Sequence, residues 1–206
     1  KAWSSDPVVR YQFLDRGRGS MVDIDEFARK AVDTPLKPPP ELLKVEVDYE
    51  KLDAMLNRYN DFNVQIFASN AAFELLVLAR RFDELQEIID RIRNRIGNFL
   101  LGTHYAGVII PMVEESGVQV DGYLTPVNEK GIYMFPTRKI AVEAIKKAGK
   151  PVIAIKPLGG GRVPPRRAFR YLFQELNIPA ALVGIGSIGE AEETFNAAAE
   201  ALRVPT

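Results

Sequence analysis

Apolar residues occur in two patterns along this chain, and from residue 62 onward the two alternate. Val64-Gln-Ile-Phe-Ala68 reads as a strand, and residues 71–95 repeat apolar positions at the spacing of one helix face, with a break near Phe82 and Asp83. Further strands are predicted over Phe99–Thr103, Val118–Thr125, Val152–Lys156 and Ala180–Gly184. Helices follow them: Val108–Glu115 closed by Gly117, Lys139–Lys147 capped by Gly149, Arg166–Leu176, and Glu190–Leu202. Five strand–helix units in succession imply a parallel sheet with helices outside it. Right-handed crossovers leave an open doubly wound sheet or a closed (β/α)8 barrel.

The first 63 residues are less regular. Val8–Phe13 reads as a short strand, Arg16-Gly-Arg-Gly-Ser20 as a loop, Asp23–Lys30 as a short helix and Thr34–Pro40 as a stiff connector. Val47–Tyr59 carries Leu52, Met55, Leu56 and Tyr59 at helical spacing and is predicted to be amphipathic. A barrel takes about 250 residues, with about 200 at the lower end. One βαβ unit takes about 30 or more, so residues 1–63 are too few for three further units. The expectation is one α/β domain over residues 1–206, of (β/α)8 TIM-barrel type. It is either whole or incomplete on its N-terminal side, with 1–63 irregular.

Composition narrows the chemistry. The 206 residues carry 27 basic and 27 acidic side chains and no net charge, which argues against nucleic acid as a partner. There is no cysteine, hence no disulfide or thiolate chemistry, in keeping with a reducing, cytoplasmic setting. A single histidine, His104, excludes cysteine–histidine metal sites, and no metal is expected. No leader and no apolar run near 18 residues is seen, so no membrane partner is expected. A small-molecule substrate fits this composition, and self-association is left open.

In parallel α/β architectures, ligands gather at the carboxyl ends of the strands. Ser69 and Asn70, Thr103 and His104, Thr125 and Asn128, Lys156 with Gly159–Arg162, and Gly184–Ser187 fall there. Gly159-Gly160-Gly161 after one strand and Gly184-Ile-Gly-Ser-Ile-Gly189 after the next suit a phosphate held by turn N–H groups and a helix start. The plain alternative is a sharp turn, with Ser187 capping its helix and Glu190 completing a capping box. Val152, Ala154 and Lys156 share one strand face. If Ile153 and Ile155 pack on helices, Lys156 points into the barrel mouth. There it is a phosphate partner, a base or a Schiff-base amine, or else a solvated lysine. His104 is a candidate donor to a carbonyl or carboxamide, or else a satisfied structural residue. Asp121 and Tyr123 share a face and are interior polar candidates only.

Over about residues 64–202, the order of these motifs resembles the C-terminal half of the aldo-keto reductase family. Gly102-Thr-His104 is similar to its fifth-strand polar pair, and Thr125-Pro-Val-Asn128 to the end of its sixth strand. Ile155-Lys-Pro-Leu-Gly-Gly-Gly-Arg162 resembles its seventh-strand turn, and Gly184-Ile-Gly-Ser187 with the following helix its eighth. The resemblance implies NADP or NAD as cofactor. Leu158, Gly159, Gly160, Gly161 and Arg162 would hold the pyrophosphate, and Gly184, Gly186 and Ser187 the adenosine end. Thr103 and His104 would face the nicotinamide, with Asn128 beside them. The family's Asp, Tyr, Lys and His come from its first four strands. Here Ala68-Ser69-Asn70 stands where its histidine is expected, and Thr194 where it has an asparagine. His104 and Lys156 are therefore the catalytic candidates. The implied activity is NAD(P)-linked oxidation or reduction of a small carbonyl or alcohol. Two other readings stand beside it: a sugar-phosphate lyase or isomerase using Lys156 and the same phosphate loops, and an inert phosphate-ligand-binding barrel.

Overall fold

The structure, a computed structural model, describes residues 9–10, 46–69 and 73–203. The elements expected between residues 11 and 45 lie outside the described residues, as does Asn70. A short antiparallel pair, β1 (Val9–Arg10) and β2 (Glu46–Val47), leads into helix α1 (Tyr49–Asn57). Asp48 starts α1 by accepting the Lys51 N–H at 3.1 Å, and Leu52 and Leu56 are its buried face.

The rest is a parallel sheet with helices on one face. Strands β3 (Ile66–Ala68), β4 (Asn98–Gly102), β5 (Gly122–Pro126), β6 (Val152–Ile155) and β7 (Ala180–Leu182) lie in the order β3-β4-β5-β6-β7. Every neighbouring pair is parallel, and the sheet curls into a half-barrel. The crossover helices are α2 (Phe73–Leu78), α3 (Phe82–Arg93), α4 (Ala106–Ser116), α5 (Arg138–Lys147) and α6 (Pro165–Arg170), with α7 (Ile188–Leu202) after β7. The break near Phe82 falls where the sequence places it, between α2 and α3. Helix α6 continues as a π-helical turn over Tyr171–Glu175 rather than as regular helix. No helix among the described residues is long and apolar enough to cross a membrane.

Three expectations are corrected. First, β5 begins at Gly122 and not at Val118, because the Asp121 carboxylate takes the Phe99 N–H at 2.7 Å where a ladder bond would run. Second, Gly149 is not a left-handed cap for α5. Ala148 ends that helix in an extended conformation, and Gly149 is small because a Cβ there would lie 2.9 Å from the Glu114 carboxylate. Third, the two faces of β6 are the reverse of those expected. Tyr123 pairs with Val152 in register, and its hydroxyl donates to Glu114 of α4 at 2.8 Å. Val152 and Ala154 therefore face the helices and are buried at 4% and 0% exposure, while Ile153 and Ile155 lie half-buried on the concave side. Asp121 and Tyr123 likewise do helix-side work and are not interior layers.

The core is helix-side. Phe99 of β4 stacks on Phe67 at 5.8 Å and meets Phe73 at 5.7 Å between ring centroids. Asp121 ties three elements together. Its Oδ2 accepts from Arg93 Nε and Nη2 at 2.9 and 2.8 Å, as well as from Phe99 N. Burial alone would raise its pKa, but the Phe99 N–H and the Arg93 guanidinium hold it below the ordinary 3.8. A carboxylate with a lowered folded-state pKa adds stability above its unfolded value and loses it as pH falls through the folded value. Asp121→Ala should cost about 1–3 kcal/mol at pH 7. In urea unfolding at pH 7 and pH 2.5, the gap to wild type should shrink at the lower pH. A gap that does not change with pH would show that the charge contributes nothing.

Candidate functional site

The carboxyl ends of β4, β5 and β6 converge on three side chains: His104, Tyr133 and Lys156. His104 lies two residues past β4. Its N–H donates to Glu74 Oε1 at 2.6 Å, and that carboxylate is buried at 4% exposure in the otherwise apolar helix α2. Its carbonyl accepts from Phe135 N at 3.0 Å. The His104 backbone is thereby held between α2 and the loop after β5. Tyr133 meets it edge-on, 6.2 Å between centroids at 78°.

Lys156, read from the sequence as the last residue of its strand, instead directly follows β6 with a φ of 54°, left-handed for a non-glycine residue. That turn takes the side chain out of the strand's alternation. Continuing it would have put Lys156 with Val152 and Ala154 on the helix side. Instead its Nζ lies 4.7 Å above the Tyr133 ring and bonds His104 Nε2. A charged ammonium has no lone pair, so while protonated it donates to Nε2. Desolvation by these neighbours lowers the Lys156 pKa from its ordinary 10.5. Tyr133 is also left-handed, at φ 59°. Two of the four left-handed non-glycine residues among those described thus touch each other here. The other two, Arg80 and Asn177, each follow the last turn of a helical segment, where that conformation is common. Backbone held in sparsely populated regions tends to mark functional sites.

Asn128 braces this arrangement from below. It is 1% exposed. Its Nδ2 donates to the carbonyls of Ile132 at 2.9 Å and Lys156 at 3.3 Å, and its Oδ1 accepts from Ile132 N at 2.9 Å. One amide therefore fixes both the loop carrying Tyr133 and the backbone of Lys156, with neither amide proton left for a ligand. Thr103 is also turned inward, 2% exposed, with its hydroxyl accepting from Tyr105 N at 2.9 Å.

The glycine turn follows directly. Gly159, Gly160 and Gly161 have φ of 55°, 67° and 78°, three left-handed residues in a row that only glycine holds without strain. Gly159 N donates to the Lys156 carbonyl at 3.0 Å, and Arg162 and Val163 close the turn on the Leu158 carbonyl. Leu158 is half-buried within this turn. Gly160 and Gly161 are exposed, and a Cβ at Gly161 would meet nothing within 4 Å. The Arg162 guanidinium folds back to the carbonyls of Gly159 and Gly160 at 3.2 and 3.4 Å. After β7, Gly184, Gly186 and Ser187 are exposed. Ser187 caps α7 by accepting Glu190 N at 3.2 Å, as expected, but the Glu190 carboxylate accepts from Gly186 N at 2.7 Å rather than from Ser187 N. A carboxylate of the chain itself therefore sits where an anion would bind this helix start.

Tyr133 and Glu74 were not among the expected site residues. The signal for Glu74 was a lone charge inside Phe73-Glu-Leu-Leu-Val-Leu78. For Tyr133 it was an aromatic residue in a Gly- and Pro-punctuated loop at a strand end.

No protein-family model matches the chain, and no curated protein matches it at significance. Solved structures do match in fold. Two are candidate aldo-keto reductases from Pseudomonas aeruginosa. One superposes with a TM-score of 0.50 at 18% identity, over 78% of this chain and 62% of that chain. The other has a TM-score of 0.51 at 17% identity, over 78% of this chain and 64% of that one. This chain spans less than two thirds of their length, and at this identity the likeness is one of fold.

Proposed function

We propose that this chain carries the cofactor-binding half of an aldo-keto-reductase-type barrel. It would take part in NAD(P)-linked oxidation or reduction of a small carbonyl or alcohol. The observation that carries the reading is the left-handed triplet Gly159-Gly160-Gly161 at the end of β6, exposed and open at Gly161, in a fold shared with candidate aldo-keto reductases. The Gly159 N–H is spent on the Lys156 carbonyl, so the N–H groups of the exposed Gly160 and Gly161 are the ones this turn offers, and a pyrophosphate is an anion such a turn accommodates.

The fit to a dinucleotide is best at this turn. Gly160, Gly161 and the exposed Arg162 would hold the pyrophosphate. Gly184, Gly186 and Ser187 would hold the adenosine end only after the Glu190 carboxylate moves off Gly186 N. Thr103 and Asn128 support the mouth from within and are not exposed to a ligand. When bound, the dinucleotide supplies or accepts the hydride. The chain's own part is to orient the carbonyl, with the Lys156 ammonium as hydrogen-bond donor at its oxygen and His104 Nε2 accepting from that ammonium.

Thermal-shift titration with NADPH, NADH and inorganic phosphate tests this. A ligand at a hundredfold excess over its dissociation constant adds about 2.7 kcal/mol. Either dinucleotide should shift the melting temperature further than phosphate, and Gly160→Asp should abolish that difference by placing a carboxylate in the turn. Equal shifts for phosphate and dinucleotide would overturn the reading.

A further inference from the structure

We infer that Lys156 is a carbonyl-condensing amine, placed beside an anion-binding turn so as to form an imine with a small phosphorylated aldehyde. This goes beyond the nucleotide reading and does not depend on it. Three observations carry it. The side chain lies at the open end of the sheet but is not free to wander: a left-handed backbone, the Asn128 amide on its carbonyl and the Gly159 N–H on the same carbonyl fix its root. Its Nζ bonds His104 Nε2, so a proton acceptor is in place at the nitrogen that must be deprotonated before it can attack. The glycine turn begins three residues later, at Gly159, which would seat a phosphate on the aldehyde that reaches Nζ.

The groups facing the amine are His104 from the end of β4 and Tyr133 from the loop after β5; no carboxylate contacts it among the described residues. A carboxylate there would hold the ammonium charged. An aromatic face and an imidazole desolvate it, and the lowered pKa agrees.

The chemistry balances without an oxidant. The ammonium first passes one proton to His104 Nε2. Neutral Nζ then bonds the carbonyl carbon as the C=O π bond breaks and the oxygen takes that proton from Nε2, and the second proton, shed by nitrogen, returns to Nε2. The carbinolamine then loses its hydroxyl as water, protonated from His104, and the nitrogen lone pair forms the C=N bond. Water is the only leaving group. Tyr133, edge-on to the imidazole, limits its rotation and is a positioning residue.

Borohydride trapping tests the assignment on the full chain, without nucleotide. Glyceraldehyde 3-phosphate and sodium cyanoborohydride are added, and labelled peptides are quantified by mass spectrometry over time. Lys156 should acquire the adduct at least tenfold faster than Lys139, Lys146 or Lys150. His104→Gln should slow labelling of Lys156 while leaving the other lysines unchanged. Glyceraldehyde, which lacks the phosphate, should label Lys156 more slowly. Labelling spread evenly over the lysines would overturn the amine assignment. Equal rates with the two aldehydes would overturn the phosphorylated substrate class. Wild-type protein alone decides the first point, so a variant that fails to fold does not protect the inference.

Discussion

Replacing Gly102 with alanine is expected to remove about 3 kcal/mol of stability or more, out of the roughly 5–15 kcal/mol that a domain has. Gly102 closes β4 against the end of β3. Its N–H donates to Ser69 Oγ at 2.9 Å, and a Cβ on it would lie 2.1 Å from the Ser69 carbonyl oxygen and 3.1 Å from its carbon. Those are backbone atoms, so no rotamer change relieves the contact; the two strands must separate. Gly117 is a useful control, since a Cβ there meets nothing and only its φ of 80° opposes alanine. Gly117→Ala should cost about 1 kcal/mol. Urea unfolding of the two variants beside wild type checks the contrast, and equal costs would show that β3 and β4 do not approach this closely.

Asn128→Ala should be nearly as damaging, at about 3 kcal/mol, because it strands two backbone groups at once and takes one of two partners from a third. The N–H and carbonyl of Ile132 lose their partner beside a side chain that is 1% exposed, and the carbonyl of Lys156 keeps only the Gly159 N–H. The conservative-looking Asn128→Asp should keep only the Ile132 N–H bond, since its second carboxylate oxygen would face the Ile132 and Lys156 carbonyls and repel both. A thermal melt ranks the variants, and trapping on Lys156 separates packing from positioning. Asn128→Ala should lower the trapping rate at Lys156 even at a temperature where the variant is fully folded. If the rate is unchanged there, Asn128 is a structural brace only.

Much of the β/α succession was legible because apolar runs alternate with Gly and Pro punctuation, and each of the five strands overlaps a residue range read from that pattern, with β4 and β5 each running one residue beyond it. What periodicity could not tell was which face is which. Both sides of a parallel strand are apolar, so the larger Ile153 and Ile155 suggested the packed face, while the smaller Val152 and Ala154 occupy it. The late start of β5 was hidden because Val118 and Val120 are apolar and buried like strand residues, and only the Asp121 side chain shows that the ladder is replaced there. The π-helical turn after α6 has no signature in Tyr171-Leu-Phe-Gln-Glu175.

The site divides along the same line. The glycine triplet, Lys156 and His104 were visible because their residue types at strand ends carry chemistry by themselves. That Lys156 and His104 touch was not, since it depends on a left-handed lysine, and nothing in the local sequence requires that conformation. Tyr133 and Glu74 carried only weak signals for a related reason: each acts through a contact between segments that follow different strands.

The carboxylate of Glu190 on the Gly186 N–H gives the last turn a resident pseudo-ligand. The loop is therefore ordered before any guest arrives, and an incoming anion gains only the difference between itself and the occupant. Entry becomes an exchange of partners rather than the filling of a vacancy. On the proposed nucleotide reading, that exchange would favour a larger molecule with contacts elsewhere along the groove over a small inorganic ion.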